Sequence, residues 1–172
     1  TFAMEVYGDV NCDAFAIKFN TDYNTKDLSL DTKMHKAMAI IQFKLEGQLI
    51  MRHPEFHMEE RMLLDRIDYE KGTICISGKT YKMKDMDFPT IDPKKPFELT
   101  EEEAKVMVRL QQAFMKCEKL QRHVRFLYAK GGMYKIYNGN LLYHGCVPLN
   151  EDGTFAEVEI YGRKYKGKAL YD

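Results

Sequence analysis

Residues 100–150 read TEEEAKVMVRLQQAFMKCEKLQRHVRFLYAKGGMYKIYNGNLLYHGCVPLN, and this stretch decides how the chain folds. Thr100 followed by Glu103 is a capping-box pattern, in which each side chain binds the backbone amide of the other residue. Apolar residues then recur at alternating spacings of four and three, as in a coiled-coil seam. They are Val106, Leu110, Ala113, Cys117, Leu120, Val124 and Leu127. The pattern predicts one helix of about 28 residues, ended by Gly131-Gly132 in a left-handed cap.

A β-hairpin is expected directly after this helix. Asn138-Gly139 lies between two apolar runs and is the preferred pair for a type I′ turn, because both central residues need positive φ. The returning strand ends at His144, which places an imidazole at the C-terminal edge of the strand, where site residues often lie in layered α/β folds. The local pattern alone favours a core histidine bound to a backbone carbonyl, and a ligand role is the alternative.

A second helix is predicted before this region. An apolar stripe runs from Met34 to Ile50 after Ser29 or Asp31, both good N-caps. The helix must end before Pro54, because the residue that precedes a proline is pushed out of the α conformation. Gly47 costs about 1 kcal/mol inside a helix, and a tight helix crossing would explain its presence.

The other segments predict short β structure. Three β-rich runs within residues 67–83, separated by glycine turns, indicate a small antiparallel meander. A second hairpin is expected over residues 157–170, around Gly162-Arg163. Alternating apolar residues predict two extended segments near the start: Phe2, Met4 and Val6, then Phe15, Ile17 and Phe19.

Composition narrows the class of protein. The 172 residues carry 26 basic and 26 acidic side chains, a formal net charge of +0, which argues against nucleic-acid binding driven by charge. No apolar run approaches the roughly 20 residues that a membrane span requires, so no membrane partner is predicted. Four scattered cysteines without a CxxC pair indicate reduced thiols and a cytoplasmic location. They are Cys12, Cys75, Cys117 and Cys146. The start at Thr1 and the apolar end lead us to expect a piece of a longer protein.

Two further patterns invite a binding interpretation. His53 and His57 are four residues apart, as in helical zinc sites, but Pro54 prevents one helix from presenting both, so a surface turn is favoured. Basic residues also cluster around the expected second hairpin, and a solvated face is favoured over a phosphate site. They are Arg163, Lys164, Lys166 and Lys168.

Several long strings resemble a known family. They are LDTKMHKAMAIIQFKLEGQ (30–48), RHPEF (52–56), FPTIDP (88–93) and NLLYHGCVP (140–148). These strings are similar to those of the class III fructose-1,6-bisphosphatases of Firmicutes-type bacteria, and the likeness covers essentially the whole chain.

The resemblance implies a function and a metal centre. That family resembles the calcineurin-like metallophosphoesterases, which use two metal ions, commonly manganese, to activate water and polarise a phosphate ester. It implies hydrolysis of fructose 1,6-bisphosphate to fructose 6-phosphate in gluconeogenesis, with a small sugar bisphosphate as the partner. His144 falls where such folds place a metal-binding histidine, and an imidazole suits a divalent ion of this kind.

The chain lacks the other motifs of that centre. Upstream D-x-H, G-D-x-x-D-R and G-N-H-E motifs are absent, and so is the downstream motif that carries the last histidine. A two-metal centre needs several bridging and terminal ligands. We therefore predict that residues 1–172 alone neither hold the Mn²⁺ pair nor hydrolyse phosphate.

Together these patterns predict an α+β fold, with long helices packed with a small antiparallel meander and hairpins. By resemblance it is part of a calcineurin-like metallophosphoesterase fold with an inserted helical region. Residues 1–28 are then an irregular lead-in from the upstream core, 29–131 the inserted helical region with its meander, and 132–172 hairpins that return to the core. The long helix is expected to pair with the Met34–Ile50 helix. Pairing with another chain is the alternative for this helix. For the function, the alternative to a bisphosphatase segment is a non-catalytic helical interaction module that forms a homo-oligomer through its seam.

Overall fold

The computed structural model describes residues 2–15 and 29–172 and shows mixed α+β architecture, as predicted. The helices are α1 (Phe2–Tyr7), α2 (Ser29–Arg52), α3 (Glu101–Lys116), α4 (Glu118–Lys130) and α5 (Lys168–Tyr171). The strands are β1 (Ile67–Asp68), β2 (Thr73–Ile76), β3 (Lys79–Lys82), β4 (Tyr134–Tyr137), β5 (Asn140–Tyr143), β6 (Val158–Ile160) and β7 (Arg163–Tyr165). Short 3₁₀ turns lie at Asp13–Phe15, Pro54–Phe56, Glu59–Arg61 and Leu64–Arg66. The chain divides into two compact units, Thr1–Leu110 and Gln111–Asp172.

The core of the first unit forms where α1 packs on α2. Tyr7, Ala37 and Ile40 are its buried centre. The extended segment predicted over residues 2–6 is wrong, because Phe2–Tyr7 form helix α1. Its two buried residues, Ala3 and Tyr7, are four positions apart and lie on one face of that helix. Of the second extended segment, Phe15 ends a 3₁₀ turn, and its other positions, 17 and 19, lie outside the described residues.

Helix α2 has the predicted limits, beginning at Ser29 and ending at Arg52, just before Pro54. Gly47 on this helix is explained by a side chain rather than by a helix crossing. The ring of Phe97 packs so closely that a Cβ added to Gly47 would lie 2.2 Å from ring carbon Cδ1. Glycine is therefore required by the space that Phe97 occupies.

The meander forms as predicted. Strands β1, β2 and β3 make a three-stranded antiparallel sheet in that order, with Ile74 of β2 paired to Ile67 and Tyr81. Ser77-Gly78 turns β2 into β3 with positive φ at both residues, the geometry of a type I′ hairpin.

The long helix is interrupted, whereas the sequence predicted one continuous helix. Cys117 has extended backbone angles, φ −79° and ψ 97°, and separates α3 from α4. The side-chain amide of Gln121 donates to the carbonyl of Phe114 at 3.1 Å, which satisfies one of the carbonyl groups freed at the end of α3. Lys116 closes α3 and Glu118 opens α4, so each charge complements the helix dipole at the break.

The break interrupts the predicted seam, and Leu110 and Leu127 are 45% and 65% exposed. Of the expected pairing of α3 with α2, the structure shows the ion pair between Lys44 and Glu103 in the first turn of α3. Met107 borders the same surface cavity as Leu45 and Leu49 of α2. The interruption removes the continuous heptad on which the homo-oligomer hypothesis depended, and the oligomeric state stays a prediction.

The end of α4 is at the predicted place but for a different reason. The helix stops at Lys130, and Gly131 follows with φ −78° and ψ 169°, so it is extended rather than left-handed. A Cβ there would lie 2.4 Å from the carbonyl oxygen of Leu127, which accepts the Gly131 N–H. The glycine is needed because the backbone is crowded.

Two hairpins follow in the second unit. Asn138 (φ 49°) and Gly139 (φ 74°) join β4 to β5 in the predicted type I′ turn. Strands β6 and β7 also pair, but their turn is Tyr161-Gly162, and residues 168–171 form α5 instead of continuing the strand. In the part of the chain that the structure describes, no helix combines the length and the apolar character needed to cross a membrane.

Candidate functional site

His144 immediately follows β5, at the predicted end of the returning strand. Its backbone N–H donates to the carbonyl oxygen of Met133 at 3.3 Å, which ties it to the start of the hairpin. Gly145 then turns the chain with φ +87°, a value that favours glycine. The residue is exposed, so the interpretation of His144 as a core histidine is wrong.

The described residues do not assemble a metal centre around this imidazole. Over residues 2–15 and 29–172, no three His, Cys, Asp or Glu side chains are grouped so that they could hold a metal ion. An exposed imidazole is chemically suited to a divalent cation, but one ligand leaves most of a coordination sphere to other groups. His144 would therefore need ligands from outside these ranges.

His53 and His57 lie at a 3₁₀ turn rather than on one helix face. His53 Nδ1 lies 2.8 Å from Glu55 Oε1, and its ring stacks on Phe56 at a centroid distance of 4.8 Å. This hydrogen bond lowers the pKa of the Glu55 carboxyl. His57 is exposed and left-handed, with φ 50°. The favoured interpretation, a surface turn, is confirmed.

The basic residues near the second hairpin are exposed, and two of them are paired with carboxylates. Lys164 Nζ lies 2.9 Å from Glu157 Oε1, and Lys168 Nζ lies 2.5 Å from Asp172 Oδ2. These contacts are typical of a solvated charged face, the interpretation favoured from the sequence.

A buried ion pair in the first unit was not found from the sequence. Lys44 Nζ donates to Glu103 Oε2 at 2.7 Å and to the carbonyl oxygen of Thr90 at 2.5 Å, and both charged side chains are 0% exposed. The same Oε2 accepts the N–H of Thr100 at 2.8 Å, and Thr100 Oγ1 accepts the N–H of Glu103 at 3.2 Å. The predicted capping box is thus confirmed, and it also holds the glutamate that pairs with α2.

The surroundings of this pair are closely packed. The hydroxyl groups of Tyr7 and Thr90 share a hydrogen bond of 3.1 Å. Burial, and to a smaller extent the Glu103 charge, raise the pKa of Tyr7 to about 12, against the opposing effect of the Thr90 hydrogen bond. Among the described residues, Glu103 Oε1 is buried without a hydrogen-bond partner.

Lys36, which is also buried, forms a second ion pair about two helical turns before Lys44 on α2. Its ammonium donates to Asp85 Oδ2 at 2.8 Å and to the carbonyl oxygen of Asn11 at 2.6 Å. It also lies over the rings of Phe15 and Phe88, 5.8 and 5.4 Å from their centroids. These contacts attach α2 to the segments around Asn11 and Asp85, and they do not present a reactive group to solvent.

A weak signal of these buried lysines existed in the sequence. Lys36, Ile40 and Lys44 follow one another at spacings of four, so both lysines share a helix face with a core isoleucine. Buried lysines are rare without a partner, which makes such a pattern a pointer to carboxylates elsewhere in the chain.

The second unit has an apolar groove beside the β4–β5 hairpin. Its main walls are Tyr134, Ile136, Leu141, Tyr143, Phe155 and Tyr171. Lys168 also borders it, and its ammonium is paired with Asp172. We call this surface the hairpin groove.

Comparison with known proteins gives a consistent result. Residues 1–172 match a family model described as Firmicute fructose-1,6-bisphosphatase. The class 3 fructose-1,6-bisphosphatase of Clostridium novyi (strain NT) is 57% identical over 173 residues, which cover 100% of this chain and 26% of that protein. The class 3 enzyme of Clostridioides difficile (strain 630) is 56% identical over 173 residues, again 100% of this chain and 26% of that protein. The corresponding protein of Listeria monocytogenes serotype 4b (strain F2365) is 51% identical, with 99% and 26% covered.

The chain therefore spans about a quarter of the length of the curated relatives it matches, 26% in each of these cases. No solved structure matches it significantly.

Proposed function

The chain belongs to the Firmicute fructose-1,6-bisphosphatase family, and from this premise we propose that its full-length protein hydrolyses the 1-phosphate of fructose 1,6-bisphosphate. The observation that carries the proposal is the family match along residues 1–172, together with relatives 51% to 57% identical over that length. The product is fructose 6-phosphate, and the proposed setting is gluconeogenesis in the cytoplasm.

We also propose that the full-length enzyme uses a pair of manganese ions and that His144 is one ligand. A bound pair would supply an activated water and polarise the phosphate ester. Support in this chain is the exposure of His144, its place directly after β5, and the backbone hydrogen bond to Met133 that fixes its position. The remaining ligands would come from outside the described residues, because these contain no group of three suitable side chains.

The proposed place of the chain in the enzyme follows from the same resemblance. Residues 29–131 would be a helical insertion with its meander, residues 132–172 would return to a calcineurin-like core, and residues 1–28 would lead in from it. The two hairpins and His144 lie in one compact unit, residues 111–172, which is consistent with a shared role.

The test is phosphate release from fructose 1,6-bisphosphate by the full-length protein, with and without Mn²⁺. We expect Mn²⁺-dependent turnover, and a loss of at least about 100-fold in activity or metal affinity for His144→Ala, since even residues that only orient a metal ligand are worth 10–100-fold. His123→Ala is the matched control, because His123 is an exposed histidine on α4. Its activity should equal that of the wild type.

Two results would contradict this proposal. A wild-type protein that releases no phosphate with Mn²⁺ would remove the proposed activity. Equal activity and manganese content in the two histidine variants would remove His144 from the metal centre. The 172-residue chain itself should bind no metal pair and show no turnover, and Mn²⁺-dependent activity in it would overturn that prediction.

A further inference from the structure

We propose that the hairpin groove is the surface on which the remainder of the full-length polypeptide packs, so that docking there also fixes the position of His144. The inference rests on the proposed function in one respect only, the existence of a longer protein of which this chain is part.

The groove is a one-sided apolar face set by the strand register. Tyr134 pairs with Tyr143 and Ile136 with Leu141, so these four side chains lie on the same face of the hairpin. The opposite face alternates with them and is mixed in character. It carries Lys135, Tyr137, Asn140 and Leu142.

This apolar face is open in the 172-residue chain. Ile136 is 69% exposed and Leu141 is 56% exposed. A two-stranded hairpin is marginally stable in water and normally needs packing against another element. Large side chains gathered on one exposed face in this way mark an interaction surface.

The groove is also bordered by more than one element of the second unit and is not a flat patch on the hairpin. Tyr171 donates its hydroxyl to the carbonyl oxygen of Cys146 at 2.7 Å, which holds α5 beside the end of the hairpin. The Phe155 ring packs on Gly167, 3.0 Å from where a Cβ would lie. Phe155 and Tyr171 therefore line the groove together with the side chains of the hairpin.

Charge favours an apolar occupant. Lys168 is the charged residue at the groove, and its ammonium already lies 2.5 Å from Asp172. An acidic or basic partner would therefore gain little from this surface, whereas an apolar segment would cover it.

The relatives indicate which apolar occupant is available. Matched relatives such as the Clostridium novyi enzyme have only 26% of their length aligned with this chain, so about three quarters of the polypeptide lies outside it. A covalently linked segment has an effective concentration that reaches the millimolar range, which places it ahead of a free second copy. His144 directly follows Tyr143 of the groove face, so a partner seated there would position the imidazole as well.

Leu141→Asp and Leu142→Asp form a matched pair for the test. The two leucines are neighbours on β5, 56% and 55% exposed, and they point to opposite faces of the hairpin. Each variant is made in the full-length protein and in the 172-residue chain. Thermal midpoints, hydrogen exchange of residues 134–143 and light scattering are measured for all of them.

We expect Leu141→Asp to lower the midpoint of the full-length protein by several degrees and Leu142→Asp to lower it by less than a third as much. In the 172-residue chain the two variants should have similar thermal midpoints. Amides of residues 134–143 should exchange at least tenfold more slowly in the wild-type full-length protein than in the short chain.

The proposal would be overturned if the two variants lowered the thermal midpoint of the full-length protein equally. It would also be overturned if the amides of residues 134–143 exchanged equally fast in the full-length protein and in the short chain. A dimeric short chain that Leu141→Asp makes monomeric would also overturn it and assign the groove to a second copy. Phosphate release by the wild type is measured separately. A full-length protein that releases no phosphate but protects residues 134–143 from exchange would contradict the proposed function and leave this inference supported.

Discussion

Lys44 Nζ lies 2.7 Å from Glu103 Oε2, and neither side chain of this pair is exposed to solvent. The contact joins the middle of α2 to the first turn of α3, which is the turn held by the capping box of Thr100 and Glu103. A local N-terminal helix signal therefore also fixes a long-range contact.

Removing the lysine should destabilise the protein strongly. Lys44→Met leaves the Glu103 carboxylate buried without its partner, and we expect a loss of about 3–5 kcal/mol in the free energy of unfolding, measured with urea. The double variant Lys44→Met, Glu103→Gln should recover part of that loss, since no buried charge remains. Lys71→Met breaks an exposed pair with Asp68 and should change nothing measurable. A Lys44→Met protein as stable as Lys71→Met would contradict the buried pair.

Gly47→Ala should destabilise the protein, although alanine is the better helix former. The gain in helix propensity is about 1 kcal/mol, but the new methyl group would lie 2.2 Å from the Phe97 ring. Overpacking of this kind costs about 1–3 kcal/mol, so unfolding in urea should show a net loss. In a Phe97→Ala background the same substitution should become stabilising. If alanine is stabilising in the wild-type background, the ring does not occupy this space.

Stability should fall in alkaline solution because of Tyr7. Its pKa is raised from 10.0 to about 12 in the folded protein, chiefly by burial. Below pH 10 both states keep the proton and the contribution of Tyr7 is complete. Between pH 10 and about 12 the unfolded chain binds fewer protons at this tyrosine than the folded protein does. The free energy of unfolding therefore falls as pH rises, by about 1.4 kcal/mol for each unit of the pKa difference.

Tyr7→Phe should flatten this decline in the free energy of unfolding, measured by urea titration at pH 9 to 12. Tyr69, whose pKa burial also raises to about 12, should account for a further part of the slope. Tyr128→Phe is the control, since Tyr128 is 87% exposed, and it should reproduce the wild-type slope. A Tyr7→Phe slope equal to that of the wild type would show that Tyr7 is not the group responsible.

Gly139→Ala should loosen the β4–β5 hairpin. Gly139 has φ +74°, and an L-residue with a side chain costs about 1–2 kcal/mol in that conformation. Hydrogen exchange of residues 134–143 should accelerate roughly fivefold to thirtyfold. Gly132→Ala is the comparison, because its Cβ would meet only the Tyr134 carbonyl oxygen, at an ordinary 3.5 Å, and exchange should stay near that of the wild type. Equal acceleration in both variants would contradict a turn that depends on positive φ.

The features that the sequence predicted correctly depend on neighbours along the chain. Thr100 and Glu103 are three residues apart, and their reciprocal hydrogen bonds need no other element. Asn138-Gly139 specifies its turn through backbone conformation alone. The end of α2 before Pro54 has the same local origin. Signals of this local kind were sufficient for the starts of α2 and α3, the β4–β5 hairpin, the meander and the position of His144 at a strand end.

The features that the sequence did not predict depend on groups far along the chain. Residues 2–7 alternate like a strand but become helical because Tyr7 packs on Ala37 and Ile40 of α2. Cys117 breaks the long helix, and neither glycine nor proline marks the place. The ring that contacts Gly47 belongs to Phe97, 50 residues further along the chain, and the carboxylate that pairs with Lys44 belongs to Glu103, 59 residues further along.

By itself, the sequence determined the starts of α2 and α3, the β4–β5 turn and the family, because capping, turn chemistry and long matching strings depend on adjacent residues. The tertiary structure decided which side chains are buried and what they meet, including the burial of Lys36 and Lys44 and the exposure of His144. The physical reason is that desolvation and packing depend on atoms brought together from distant parts of the chain, and spacing along the sequence does not specify those atoms.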